Sequence, residues 1–216
     1  MTDRFASLAA AFAGAVALTG IAASSAAARP VEPLEPRPPV VRCRVPAAAS
    51  QPTPLRPQET GMWCWAASGQ MIMETLGRTV RQCTQANNRL GRGDCCNSPT
   101  PADCVKGGWP EFQKYGFTFS MTQGAPLSWA ALQRQLARGE NCWSAPVAFS
   151  WGWTGGGGHM MVAKGYKTIG TTRYVEIHDP WAPNVGDHRF ITYDFYVASP
   201  GSHTHWNDYY NIARAN

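Results

Sequence analysis

Beyond residue 28 the chain has no apolar run of the roughly 18 to 20 residues that a membrane-spanning helix requires, so the mature product is expected to be soluble. It has no Lys/Arg run interleaved with aromatics, which argues against a nucleic-acid partner or an anionic membrane surface. It also lacks a GxGxxG phosphate loop and an internal repeat. His203 and His205 flank one residue, and Cys95-Cys96 precede Cys104, but neither group has the paired spacing of a zinc site, and no metal or cofactor is implied.

What is present starts with an address. Arg4 precedes an Ala-rich apolar run to about Ala23, and Ala26, Ala27 and Ala28 supply small residues for cleavage, so residues 1–28 read as a signal peptide that is removed. Export places the product outside the cytosol, secreted or periplasmic. Residues 29–57 hold nine of the seventeen prolines and read as an extended linker or short pro-segment. The same stretch carries five Arg against Glu32 and Glu35, which leaves only +2 of the formal +5 for the rest of the chain. Residues 58–216 are then long enough for one globular domain with its own core, expected to be monomeric.

Seven cysteines in an exported chain read first as disulfide partners, because such compartments are oxidising. Seven is odd, so one thiol stays free or pairs between molecules. Cys64 is the candidate for a reactive thiol, with half of a disulfide as the structural alternative. The remaining six allow 15 connectivities. The Cys83 to Cys104 group is expected to pair partly within itself, and a bridge from Cys43 would strap the linker to the core.

From Cys64 to Leu76 apolar residues fall on too many sides for a surface helix and without strand alternation, which predicts a buried central helix stopped near Gly77. Residues 78–126 predict short helices and loops. Ser128 is a candidate cap for a second helix through Arg138, ended by Gly139. Segments 146–153, 159–166, 173–178 and 189–195 are rich in β-branched and aromatic residues and predict strands. Early helices and late consecutive strands indicate an α+β fold with a mostly antiparallel sheet packed on the Cys64 helix.

A thiol attacks only as thiolate, and a helix N-terminus with a neighbouring imidazolium favours that form. Among five histidines His159 has the best context. It follows four glycines that would let a substrate backbone approach at Gly158 and would aim the ring into a cleft; His178 is the runner-up as base. Asp179 closes the strand before Pro180-Trp181, where turn initiation is the ordinary use of Asp-Pro.

The segment Gln58-Glu59-Thr60-Gly61-Met62-Trp63-Cys64-Trp65-Ala66-Ala67-Ser68 resembles the nucleophile region of papain-like cysteine peptidases, and His159 through Gly165-Tyr166 resembles their His-strand-Gly-Tyr element. Asp179-Pro180-Trp181 and Gly107-Gly108-Trp109-Pro110 are similar to two further family segments. The resemblance implies a papain-like fold and a secreted endopeptidase acting on protein or peptide substrates. It implies Cys64 as nucleophile, His159 as base, Asp179 orienting the ring beneath Trp181, Gln58 completing an oxyanion hole, and Gly108 against the substrate backbone. Gly61 departs from a family cysteine. Only 95 positions separate Cys64 from His159, an interval more similar to compact bacterial secreted and effector proteases. Acyl transfer or amide hydrolysis by the same triad is the enzymatic alternative, and a disulfide-rich binding module the non-catalytic one.

Overall fold

In a computed structural model the described residues are 43–215; the expected signal peptide, residues 1–28, and the first part of the expected linker lie outside them. A short strand β1 (Ala48–Ser50) precedes helices α1 (Cys64–Thr75) and α2 (Gln82–Leu90), strand β2 (Phe117–Met121) and helix α3 (Trp129–Leu136). Strands β3 (Val147–Trp153), β4 (Gly158–Ile169), β5 (Thr172–Asp179) and β6 (Asp187–Thr192) follow, then helix α4 (Tyr193–Val197) and strands β7 (Ala198–Ser199) and β8 (His203–Arg214). All pairings are antiparallel, in the order β2-β8-β3-β4-β5-β6, with β7 on β8. This is an α+β fold of the papain-like kind.

β4 explains the two-layered core. Successive side chains on a strand point to opposite faces. Met160 and Val162 therefore share a cluster with Trp65, Met71 and Ile72 of α1, while Met161 and Ala163 share one with Leu132 and Leu136 of α3 and Tyr196 of α4; a register shift between Ala163 and Gly165 puts Tyr166 on that second face as well. A strand covered on both faces has no polar side, hence its nearly continuous apolar run. The expected buried helix is α1, with Trp65, Met71, Ile72 and Met73 all out of solvent contact.

Helix α3 begins where expected, with Ser128 Oγ accepting from the Ala131 N–H at 3.3 Å. It stops at Leu136, short of the expected Gly139, since Ala137 is already extended at ψ 144°. The expected strand 189–195 is divided: β6 ends at Thr192, whose side chain caps α4 by accepting from Phe195 N–H. β8, between β2 and β3 in the sheet, escaped the sequence reading because its alternation is carried by His203, His205, Asp208 and Tyr209, polar or amphipathic residues that the sheet buries.

Part of the Pro-rich segment is built into the domain. Cys43 is bonded to Cys142, β1 pairs with Gly165–Lys167 of β4 where β3 leaves that edge open, and Gln51 Nε2 donates to the Leu136 carbonyl at 2.7 Å. Extended, proline-rich backbone suits this role because proline tolerates a sheet margin and has no N–H to satisfy.

Ile72→Ala tests the α1 contact: deleting a fully buried branched side chain should cost about 2–5 kcal/mol in urea denaturation with the disulfides intact. A loss well under about 1 kcal/mol would mean that α1 is not the central packing element described.

Candidate active site

Cys64 is the first residue of α1. No side chain caps that helix and no acidic residue occupies its first turn, so its N-terminal N–H groups and the positive end of its dipole are left facing whatever lies beside the sulfur. The flanking tryptophans are buried and hold a loop. Trp63 Nε1 donates to the Cys104 carbonyl at 2.7 Å and Trp65 Nε1 to the Lys106 carbonyl at 3.1 Å. That loop is also tied by the Cys95–Cys104 disulfide, which carries Gly107 and Gly108 to one wall of a cleft. A Cβ on Gly108 would stand 2.4 Å from Arg89 Nε and 2.9 Å from the Trp65 ring, so glycine is required by what lies behind the wall.

His159 opens β4 opposite Trp151 on β3, with its ring stacked beside Trp153 at a centroid distance of 6.3 Å. Its Nε2 lies 2.6 Å from Asp179 Oδ1 at the end of β5. With Nε2 so engaged, Nδ1 is the nitrogen left for the sulfur. Burial opposes charge on the ring, but hydrogen bonding to Asp179 and to Cys64, with the negative charge of both, outweighs it and raises His159 to about 9. Asp179 is held below the ordinary carboxylate range: burial acts against this, and His159, the Trp181 N–H and Arg189 overcome it.

The cleft has a volume of about 570 Å³ and contains Cys64, His159 and Asp179. Its walls include Gly108, Gly158 and the half-exposed Trp181, all anticipated from the sequence, together with Trp109, Trp151 and Trp153. Trp206 on β8 completes the aromatic lining. It lies flat on Gly152 and Gly158, where an added Cβ would fall 2.0 and 2.4 Å from the indole, and packs against Trp109 at 5.8 Å. Trp206 could have been found only by recognising β8. Arg189, which donates from Nη2 to Asp179 Oδ2 at 2.9 Å, was read from sequence only as the start of a strand.

Gln58 is placed differently. It is buried, its Nε2 donates to the Thr60 carbonyl at 2.7 Å, and it is not among the cleft-lining residues. Its backbone accepts from Asn184 and donates to Pro180, pinning the loop that carries Trp181. His178 is turned to the face opposite Asp179; burial, then the nearby charges of Lys164 and His188, push it down to about 4.

His203 Nε2 donates to the Phe195 carbonyl, and His205 spans the Tyr196 carbonyl and Asp208, so both serve the core. Asp94, Cys95 and Cys104 lie close enough to share an ion, but the two sulfurs are bonded to each other.

A family model described as Peptidase_C39 like family matches residues 50–213. The chain belongs to this family. No curated protein matches it. Membership places this Peptidase_C39-like chain among cysteine peptidases of papain-like architecture. The matched span begins with the last residue of β1 and reaches the end of β8, so it takes in the site, both core layers and the strap from Gln51 onward. Three disulfides, Cys43–Cys142, Cys83–Cys96 and Cys95–Cys104, fit an oxidising compartment outside the cytosol. Among the described residues no helix is long and apolar enough to cross a membrane.

The disulfide pattern leaves Cys64 as the free cysteine. Titrating the native, unreduced protein with a thiol reagent should therefore count one thiol per chain, mapping to the peptide that contains Cys64. A count of zero, or a label on another cysteine, would contradict the arrangement.

Proposed function

We propose that this member of the family is an exported endopeptidase that hydrolyses peptide bonds in protein or peptide substrates through Cys64, His159 and Asp179. The observation that carries the reading is the position of the free sulfur. It stands at an uncapped helix head in a cleft shared with a partly buried imidazole, whose other nitrogen is bonded to a carboxylate.

In the proposed reaction the Cys64 thiolate attacks the carbonyl carbon, and His159 gives its proton to the leaving amine. The resulting thioester is attacked by a water from which His159 takes a proton; the carbon–sulfur bond breaks, the acid leaves, and the Cys64 thiolate and His159 imidazolium are restored. Asp179 holds the ring in the tautomer that faces Nδ1 to the sulfur. The Cys64 backbone N–H is the first proposed donor to the developing oxyanion. Gln58 is the second: its buried Oε1 has no donor, so its amide is incompletely satisfied and can turn from Thr60 when substrate offers a charged acceptor. Gly108, Gly158 and Trp181 border the substrate backbone.

Cys64→Ala should reduce cleavage of a denatured protein mixture by roughly 10⁴-fold or more while leaving the thermal transition near that of the parent. Identifying new peptide termini with the parent but not the variant would also separate hydrolysis from acyl transfer. Parental rates in the variant would overturn the assignment.

The ring is charged below its raised pKa. Its contribution to the ion pair is complete below about 6.5 and is lost as pH rises toward about 9. The pH profile of kcat/KM should therefore fall on an alkaline limb near 9. Asp179→Asn removes a negative neighbour and should move that limb down by about 1 to 2 units. An unmoved limb would show that Asp179 does not act on the ring.

A further inference from the structure

Asp179 carries more partners than the orientation of one ring requires. Oδ1 accepts from His159 Nε2 at 2.6 Å and from the Trp181 backbone N–H at 3.0 Å, and Oδ2 accepts from Arg189 Nη2 at 2.9 Å. Arg189 also donates from Nη1 to Asp187. The β5–β6 register creates this group: Asp179 stands opposite Asp187 and Ile177 opposite Arg189, so Arg189 is the diagonal neighbour on the face of Asp179.

The charges alternate from the helix head to the sheet edge, with Cys64, His159, Asp179, Arg189 and Asp187 in sequence. The titratable or charged groups facing the ring are Cys64 from α1 and Asp179 from β5, with Arg189 and Asp187 from β6 acting through Asp179; β3 offers only the Trp153 indole. His178 lies on the other face of β5.

A bare carboxylate would place a second anion against an imidazolium that already faces the sulfur. A proton held so firmly is a poor one to donate near neutral pH, because an effective general acid needs a pKa close to the working pH. A cation on the far oxygen relieves that excess and fixes the plane of the carboxylate.

We propose that Arg189 is a positioning residue of the site, clamping the second oxygen of Asp179 and offsetting its charge so that the carboxylate serves the imidazole much as a neutral acceptor would. This rests on the triad reading above. Arg189 touches neither the sulfur nor the ring in the hydrogen-bond network, and its influence passes through Asp179. Its side chain is 39 % exposed, so water screens part of the effect.

The test is the rate of Cys64 alkylation by iodoacetamide as a function of pH, in the full protein with its disulfides intact. In the parent the curve should have two steps: a reactive plateau from the ion pair, then a second rise near 9 as the imidazolium loses its proton. Arg189→Gln should move the second step up by about one unit, with a lower kcat at neutral pH and little change in KM. Arg189→Lys, which keeps the charge, should return the step toward the parental position. Asp187→Asn removes an anion from the far side and should move it down, by a smaller amount; this variant carries the test should Arg189→Gln fold poorly.

A structural role alone would alter the thermal transition and could not move the step in opposite directions for the two β6 variants. An unmoved or lowered step in Arg189→Gln, or shifts of one sign in both, would overturn the role of Arg189 and leave the triad standing. A parental curve with one ordinary thiol step would overturn both.

Discussion

A largely desolvated imidazole that carries charge must be compensated from both sides, and the architecture around His159 is organised by that requirement. The ring lies at the meeting of three elements: the head of α1 brings the sulfur, β4 brings the ring, and the end of β5 brings the carboxylate. Desolvation disfavours the charged ring, and only the coincidence of a hydrogen-bonded carboxylate with a facing sulfur reverses the balance. The core layer between α1 and β4 is therefore also the device that sets the distance between the Cys64 sulfur and the His159 ring.

Rigidity elsewhere serves the same end. Trp63 and Trp65 flank the sulfur in sequence and are hydrogen-bonded to a loop that a disulfide closes, so the backbone wall at Gly107 and Gly108 is located by the same helix turn as the Cys64 sulfur. On the opposite side Trp206 lies on Gly152 and Gly158, filling the space that side chains there would occupy. The proline-rich strap reaches from Cys43 along β4 to Gln58 and supports the loop after Asp179. Three disulfides spread over the domain reduce the entropy of the unfolded chain and leave Cys64 as the free cysteine.

Much of the site was legible in one dimension, for identifiable reasons. Cys64 stood out through an odd cysteine count and an apolar helix without amphipathic sides and His159 through a glycine run leading into a strand, whereas Asp179 was singled out by the family resemblance of the Asp179-Pro180-Trp181 segment. The first two are local patterns with a local physical cause. The fold class followed from periodicity as well, yet β8 did not, because its inward residues are His203, His205, Asp208 and Tyr209. The first three are satisfied by hydrogen bonds inside the fold, and Tyr209 packs on Phe112 and Phe119. Trp206 and Arg189 were missed for another reason: the contacts of each are with neighbours on other strands.

The amino-acid order thus determined which atoms are chemically capable: a thiol at a helix start, an imidazole after glycines, a carboxylate ending a strand, and six other sulfurs to spend on bridges. The tertiary structure decided which of these meet. The β5–β6 register put Arg189 on the far oxygen of Asp179, the strand pleat sent His178 to the other face, and the loop at Thr60 engaged the Gln58 amide away from the cleft. Hydrogen bonds and charge interactions act through space over a few ångströms, whereas sequence records only separation along the chain.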